Sequence, residues 1–153
     1  MTNVWGMTDI GLVRRENQDN YLFREQTPSG HTICVVCDGM GGPAGGKIAS
    51  EIAVETFITT LEAVLRWDMT PEELQDASAY ASSLANDAIR NAAEEMDGYE
   101  NMGTTLVGAV TYAEGVVITN VGDSRAYHIK EDGIVRITRD HSLVAHKIGR
   151  AHV

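Results

Sequence analysis

The stretch CDGMGG, residues 37–42, sets a carboxylate against a run of glycines. Asp38 closes the apolar segment TICVVC, which places it at the end of a strand, where a sheet edge meets solvent. Glycines after it let the backbone come close to an ion or a phosphate. The Gly39 carbonyl is then a hard oxygen donor beside the carboxylate. Asp-Gly followed by glycine is also plain turn chemistry. Residues 11–20, GLVRRENQDN, carry Arg14 and, five residues later, Asp19. A guanidinium fork fits phosphate oxygens two at a time, although a single arginine is more often a surface charge. VGDSRAY, residues 121–127, puts Asp123 in a tight turn between two strands, a frequent place for aspartate. MGTT at 102–105 has a glycine at the mouth of a strand, and TRDHS at 138–142 reads equally well as a helix cap. Carboxylates, a carbonyl and water are the ligands hard divalent ions take. No protein nucleophile is evident, because neither cysteine lies in a loop that opens a helix.

The elements that must position these residues follow from periodicity. Residues 3–9 and 20–25 suit two strands, and the β-branched, apolar 32–38 suits a central one. From Lys47 to Leu65, the residues Ile48, Ile52, Phe57, Ile58, Leu61 and Leu65 recur at helical spacing. A second helix begins at TPEEL, with Thr70 as cap, Pro71 in the first turn and Glu73 completing a capping box. Its period runs to about Met96. Residues 104–113, 115–123, 124–131 and 133–138 then read as four strands joined by hairpin turns. A short helix capped by Asp140 or Ser142 is expected after Thr138. Strands, two long helices, then strands give an α+β order. The strand count calls for two sheets, and a second helix pair to cover the other side is not in this sequence.

Composition narrows the function classes. The chain has 153 residues and a net charge of −10, with 43% hydrophobic and 22% charged residues. An acidic chain without a basic run does not read as a nucleic-acid binder. Its charge reflects either a solvated acidic surface or carboxylates that await cations. No stretch reaches the length of a membrane span, and the N-terminus lacks a signal-peptide pattern, so a cytoplasmic monomer is expected. Cys34 and Cys37 form C-x-x-C inside a strand. Their sulfurs should point to opposite faces, which favours two reduced thiols over zinc or redox chemistry.

Taken in order, GLVRRENQDN, CDGMGGPAGG, MGTTLV, NVGDSRAY and TRDHSLV resemble the metal-dependent Ser/Thr protein phosphatases, the PPM or type 2C family, in its bacterial branch. The resemblance covers about residues 7–145. It implies an α-β-β-α sandwich with two Mn2+ or Mg2+ ions at one edge of the paired sheets. It also implies hydrolysis of phosphoserine and phosphothreonine on proteins by a metal-activated water. In that pattern Asp38 bridges both metals and Gly39 gives one of them its carbonyl. Asp19 supports the metals directly or through water, Arg14 holds the substrate phosphate, and Asp123 serves a third, weaker metal. The implied partners are phosphoproteins, namely substrates of a bacterial Ser/Thr kinase and the kinase itself.

Three departures qualify the resemblance. Gln18 stands where many members have Glu. Met40 and Pro43 occupy positions where other members carry His, so a histidine general acid is missing from this loop. His31, His128, His141, His146 and His152 form no ligand cluster and read as structural or surface residues. The family's two further metal aspartates and its flap segment lie beyond the chain. The last six residues, IGRAHV, also match the translation of a common sequencing adapter. The expectation is therefore an incomplete phosphatase domain at 1–147 and a non-native tail at 148–153, with weak Mn2+ binding and little or no activity. The alternative is a pseudophosphatase, a regulatory domain that binds phosphoproteins without turnover.

Overall fold

A strand with one buried face must alternate its side chains, because successive residues point to opposite sides. Ile33, Val35 and Cys37 are buried, whereas Val36, Asp38 and Met40 are exposed. They belong to β2 (Ile33–Met40), the centre of the sheet in the computed structural model, which describes residues 2–141. β1 (Asp19–Arg24) pairs antiparallel with β2. After the helices α1 (Gly45–Val64) and α2 (Pro71–Glu95) come β3 (Gly103–Thr104), β4 (Leu106–Tyr112) and β5 (Gly115–Val121). The sheet order is β1-β2-β4-β5, with β3 also on β2. A separate two-stranded sheet, β6 (Tyr127–Lys130) with β7 (Gly133–Arg136), follows.

Both helices cover the face that carries Ile33, Val35 and Cys37. α1 packs on β1 and β2, and α2 packs on α1, β4 and β5. Phe57, Ile58, Leu61 and Leu74 fill the space between the helices and the sheet. Gly108 makes room for the Phe57 ring: a Cβ there would stand 2.5 Å from Cζ. The capping box forms as expected, with the Glu73 N–H donating to Thr70 Oγ1 at 3.2 Å and the Thr70 N–H to the Glu73 carboxylate at 2.8 Å. His31, buried beside this core, sets Nδ1 2.6 Å from the Thr111 carbonyl and Nε2 3.0 Å from that of Arg66. It thereby joins the end of β4 to the α1–α2 connection.

The opposite face of the sheet is different. Parity places Asp19, Tyr21 and Phe23 of β1 there with Cys34, Val36 and Asp38 of β2. Tyr21 and Phe23 stack with ring centroids 6.3 Å apart. Val36 remains 46% exposed, and Ile129 and Ile134 of the β6–β7 hairpin 71% and 65%. Cys34 and Cys37 diverge as their spacing predicts, and both are free thiols. Burial pushes the Cys37 thiol up to about 12, which keeps it an inert core group.

Several boundaries differ from the sequence-based expectation. Residues 3–9 are not a strand. They run beside edge strand β1 through side-chain links, with the Tyr21 hydroxyl donating to the Gly6 carbonyl at 3.1 Å and the Val4 N–H to the Glu25 carboxylate at 2.6 Å. β2 does not end at Asp38 but continues for two residues, because Gly39 and Met40 pair with Thr104 and Gly103. The predicted strand 104–113 is interrupted at Thr105, and the two strands after Val121 shrink to β6 and β7. The predicted helix after Thr138, Ser142 and the 148–153 tail lie outside the described residues.

Gly108→Ala should therefore lower stability by about 1–3 kcal/mol, because Phe57 must leave its rotamer or the sheet must shift. A urea unfolding midpoint that drops without a change in slope checks this.

Candidate metal centre

The first determinant is one rung of the sheet. Asp19 and Asp38 are register partners across β1 and β2. The Gly39 N–H donates to the Gln18 carbonyl at 3.1 Å, so 18/39 is the hydrogen-bonded pair. Asp19/Asp38 is then the neighbouring non-hydrogen-bonded pair, in which side chains lie closest. Two carboxylates thus face each other on the outer side of the sheet. Burial pushes the Asp38 carboxyl above the usual aspartate range. The charge and hydrogen bond of Asp19 push the same way, followed by the charge of Asp123, while Arg14 pulls against them.

The second determinant is close backbone approach. Gly39 points its missing side chain at α1, where a Cβ would collide with the Gly46 carbonyl. A Cβ on Gly46 would in turn stand 2.7 Å from the Gly39 carbonyl carbon. This reciprocal glycine contact lets the first turn of α1 rest on the end of β2. On the outer edge of β1 the Asp19 N–H, which the non-hydrogen-bonded pair leaves pointing away from β2, donates to the Asn17 side chain at 3.0 Å.

A third element brings in Asp123. Thr105 Oγ1 accepts the Asp38 N–H at 2.9 Å and meets the Ser124 hydroxyl, while the Thr105 N–H donates to the Asp38 carbonyl at 2.9 Å. One threonine therefore ties the Asp19–Asp38 rung to the β5–β6 turn. That turn is braced from behind. The Arg125 guanidinium grips the Asp140 carboxylate at 2.9 and 2.6 Å, and the His141 N–H donates to the Gly122 carbonyl at 2.8 Å. Arg125 holds the Asp140 carboxyl below the usual range; the residues that Asp140 or Ser142 would cap lie outside the described ones.

Arg14, Asp19, Asp38, Gly39 and Asp123 all line a single cleft. The five residues named from the sequence share this cleft, and Glu16, Gln18 and Thr105 line it beside them. In the sequence Thr105 stands out only as part of MGTT, Glu16 only as a neighbour of Asp19, and Gln18 only as a departure from the family's usual Glu. Glu16 Oε2 accepts the Ala44 N–H at 3.1 Å, and Gln18 Nε2 donates to the Gly42 carbonyl at 2.9 Å.

The donor set is all oxygen, and its carboxylates repel one another across a partly desolvated rung. Hard divalent cations fit such a set. Among the described residues, no three Asp, Glu, His or Cys side chains converge tightly enough to hold an ion by themselves. Five carboxylates line the cleft, those of Asp9, Glu16, Asp19, Asp38 and Asp123, without three of them meeting at one point.

Comparison with known proteins decides the family. The Protein phosphatase 2C family pattern matches residues 14–145. The chain belongs to the protein phosphatase 2C family. A serine/threonine phosphatase, stp, of Listeria innocua is 37% identical over 140 residues, covering 90% of this chain and 54% of the relative. Protein phosphatase PhpP of Streptococcus pneumoniae is 32% identical over 146 residues, covering 90% and 54%. The crystal structure of serine/threonine phosphatase Stp1 from Staphylococcus aureus superposes with a TM-score of 0.82 at 34% identity, covering 93% of this chain and 55% of that one. The chain spans about half the length of the curated relatives it matches. The helix pair, first sheet and hairpin thus form part of the expected type 2C sandwich.

Two outcomes follow from the rung. Because the folded-state value of Asp38 is raised, its stabilising contribution is fully present below the ordinary aspartate range. It is lost as pH rises through the raised value. Asp38→Asn should therefore stabilise the metal-free chain at neutral pH by about 0.2–1 kcal/mol, as expected for relief of a screened cross-strand repulsion. Thermal melts in chelator from roughly pH 3, just below the ordinary aspartate value, to roughly pH 8 should show the wild type weakening relative to the variant as pH rises.

Proposed function

We propose that the protein of which this chain is part hydrolyses phosphoserine and phosphothreonine on proteins at a binuclear Mn2+ or Mg2+ centre. The observation that carries this reading is the Asp19–Asp38 rung in one cleft with Arg14. In this reading Asp38 and the Gly39 carbonyl would hold the two ions. Asp19 supports the pair directly or through water, and Asp123 holds a third, weaker ion. When bound, such ions supply an acidified water for in-line attack and positive charge for the departing oxygen.

The remaining work belongs to the side chains. Arg14 has a planar fork for two phosphate oxygens, and it shares the cleft with the carboxylates, so a phosphomonoester it holds is oriented toward them. Neither cysteine is available as a competing nucleophile. Cys37 lies on the helix-covered face with its thiol pushed up, and burial raises Cys34 as well. The substrates in this reading are phosphoproteins made by a bacterial Ser/Thr kinase, and the kinase itself. No described helix is long and apolar enough to cross a membrane.

By itself the chain supplies part of the metal cage. It should bind Mn2+ weakly and show little or no turnover. The partial donor set among the described residues also suits the second reading, a domain that binds phosphoproteins without hydrolysis.

Phosphate release from a phosphothreonine peptide separates the two. Extended to the length of its relatives, the protein should release phosphate only with Mn2+ or Mg2+. Asp38→Asn should lose about 10³-fold or more, the loss expected when several kcal/mol of metal stabilisation disappears. Folded, extended protein that binds the peptide but releases nothing supports the non-hydrolytic reading. Calorimetry on the 153-residue chain should find no micromolar Mn2+ site.

A further inference from the structure

A glycine loop that ends a strand and opens a helix has little side-chain means of holding its own shape. Gly41 and Gly42 adopt φ of 122° and 80°, and Ala44, the N-cap of α1, adopts 64°. Glycine takes these values freely, whereas alanine does so at a cost of about 1 kcal/mol. The Ala44 side chain caps nothing, and the first turn of α1 contains no acidic residue. The loop is nevertheless the wall from which Gly39 reaches the cleft.

Its restraints come from the segment before β1. Gln18 Nε2 has two protons and two acceptors, the Gly42 carbonyl at 2.9 Å and Glu16 Oε2 at 3.1 Å. The same Glu16 oxygen accepts the Ala44 N–H at 3.1 Å. Glu16 thus supplies from outside the cap that α1 lacks, with its charge at the positive end of the helix. The main chain of Gln18 is pinned too: its carbonyl accepts the Gly39 N–H at 3.1 Å and the Ser50 hydroxyl at 2.7 Å. Its Oε1 lies against Gly46, where a Cβ would collide. Flipping the amide would set its oxygen against a carboxylate and a carbonyl, so the two acceptors fix its orientation.

We propose that Glu16 and Gln18 are a positioning pair that clamps Gly39–Ala44, and that position 18 acts through its amide protons rather than as a metal ligand. The role of the clamp in presenting Gly39 rests on the metal-dependent reading above. The clamp itself does not. A carboxylate at position 18 would face the Glu16 carboxylate and the Gly42 carbonyl with no proton to offer. It would open the clamp despite adding a ligand type that divalent ions favour.

Amide hydrogen exchange on the metal-free chain reads the clamp at the Gly39 and Ala44 N–H groups. Gln18→Glu should speed their exchange by about tenfold or more, the loss expected for hydrogen bonds that involve a charged group. Exchange in β4 should stay at the wild-type rate. Adding Glu16→Gln should recover most of the protection, because an amide at 16 can donate to a carboxylate at 18. Unchanged exchange in the single variant, or no recovery in the double, overturns the proposal. If Gln18→Glu also loses protection in β4, Gln18→Met decides on the same two amides: local loss supports the clamp, and wild-type exchange overturns it. Calorimetry on the extended protein adds a second readout. Gln18→Glu should weaken Mn2+ binding, and tighter binding would make position 18 a ligand site and overturn the proposal. Absence of phosphatase activity leaves the exchange result standing, so the two readings fail separately.

Discussion

One antiparallel rung sets the terms for everything around it. Asp19 and Asp38 stand opposite each other where side chains lie closest, and like charges there destabilise a sheet. The fold offers little relief. Arg14 is the cation that acts on Asp38, whereas Asp19, Asp123 and burial all act against its charge. Such a rung persists only because the rest of the sheet over-determines it. The excess charge defines what the cleft can accept, namely a cation of high charge and oxygen preference.

The neighbouring features make that rung reachable from above and rigid from below. Gly39 and Gly46 remove the two Cβ atoms that would keep α1 off the strand end. Thr105 replaces one ladder acceptor by its hydroxyl and couples the rung to the turn bearing Asp123. That substitution interrupts β3–β4 without breaking their common register on β2. The Arg125–Asp140 pair is exposed and contributes little to global stability. Its bidentate geometry still sets where the turn lies. In each case a weak local contact gains importance because it fixes geometry at a charged site.

How much of this could be read from sequence depended on whether the signal was periodic or relational. Both helices follow from apolar residues three and four apart, and the capping box from T-x-x-E. The site residues emerged because their order along the chain is distinctive, although each alone is ordinary. Residues 3–9 misled because an apolar, mixed segment looks like a strand even when its links run through Tyr21 and Glu25 side chains. Asp38 looked terminal because glycine usually ends a strand, but Gly103–Thr104, more than sixty residues away in sequence, extends the ladder past it. The Glu16–Gln18 clamp was illegible for the same reason. Its acceptor and donor, Gly42 and Ala44, become neighbours only after the strand, loop and helix are in place.

The period of two along β2 also explains how a repulsive site coexists with a stable sheet. Ile33, Val35 and Cys37 face the helices, while Cys34, Val36 and Asp38 face the other way. Core and chemistry are therefore separated by the thickness of one strand. A shift of one residue in register would exchange the two sets. It would drive Asp38 under α1, where an unpaired charge costs several kcal/mol or more, and expose Ile33 and Val35. The hydrophobic core thus does more than hold the sheet together. By excluding shifts of one residue, it keeps Asp19 and Asp38 on the outer face, where the observed register sets them opposite each other.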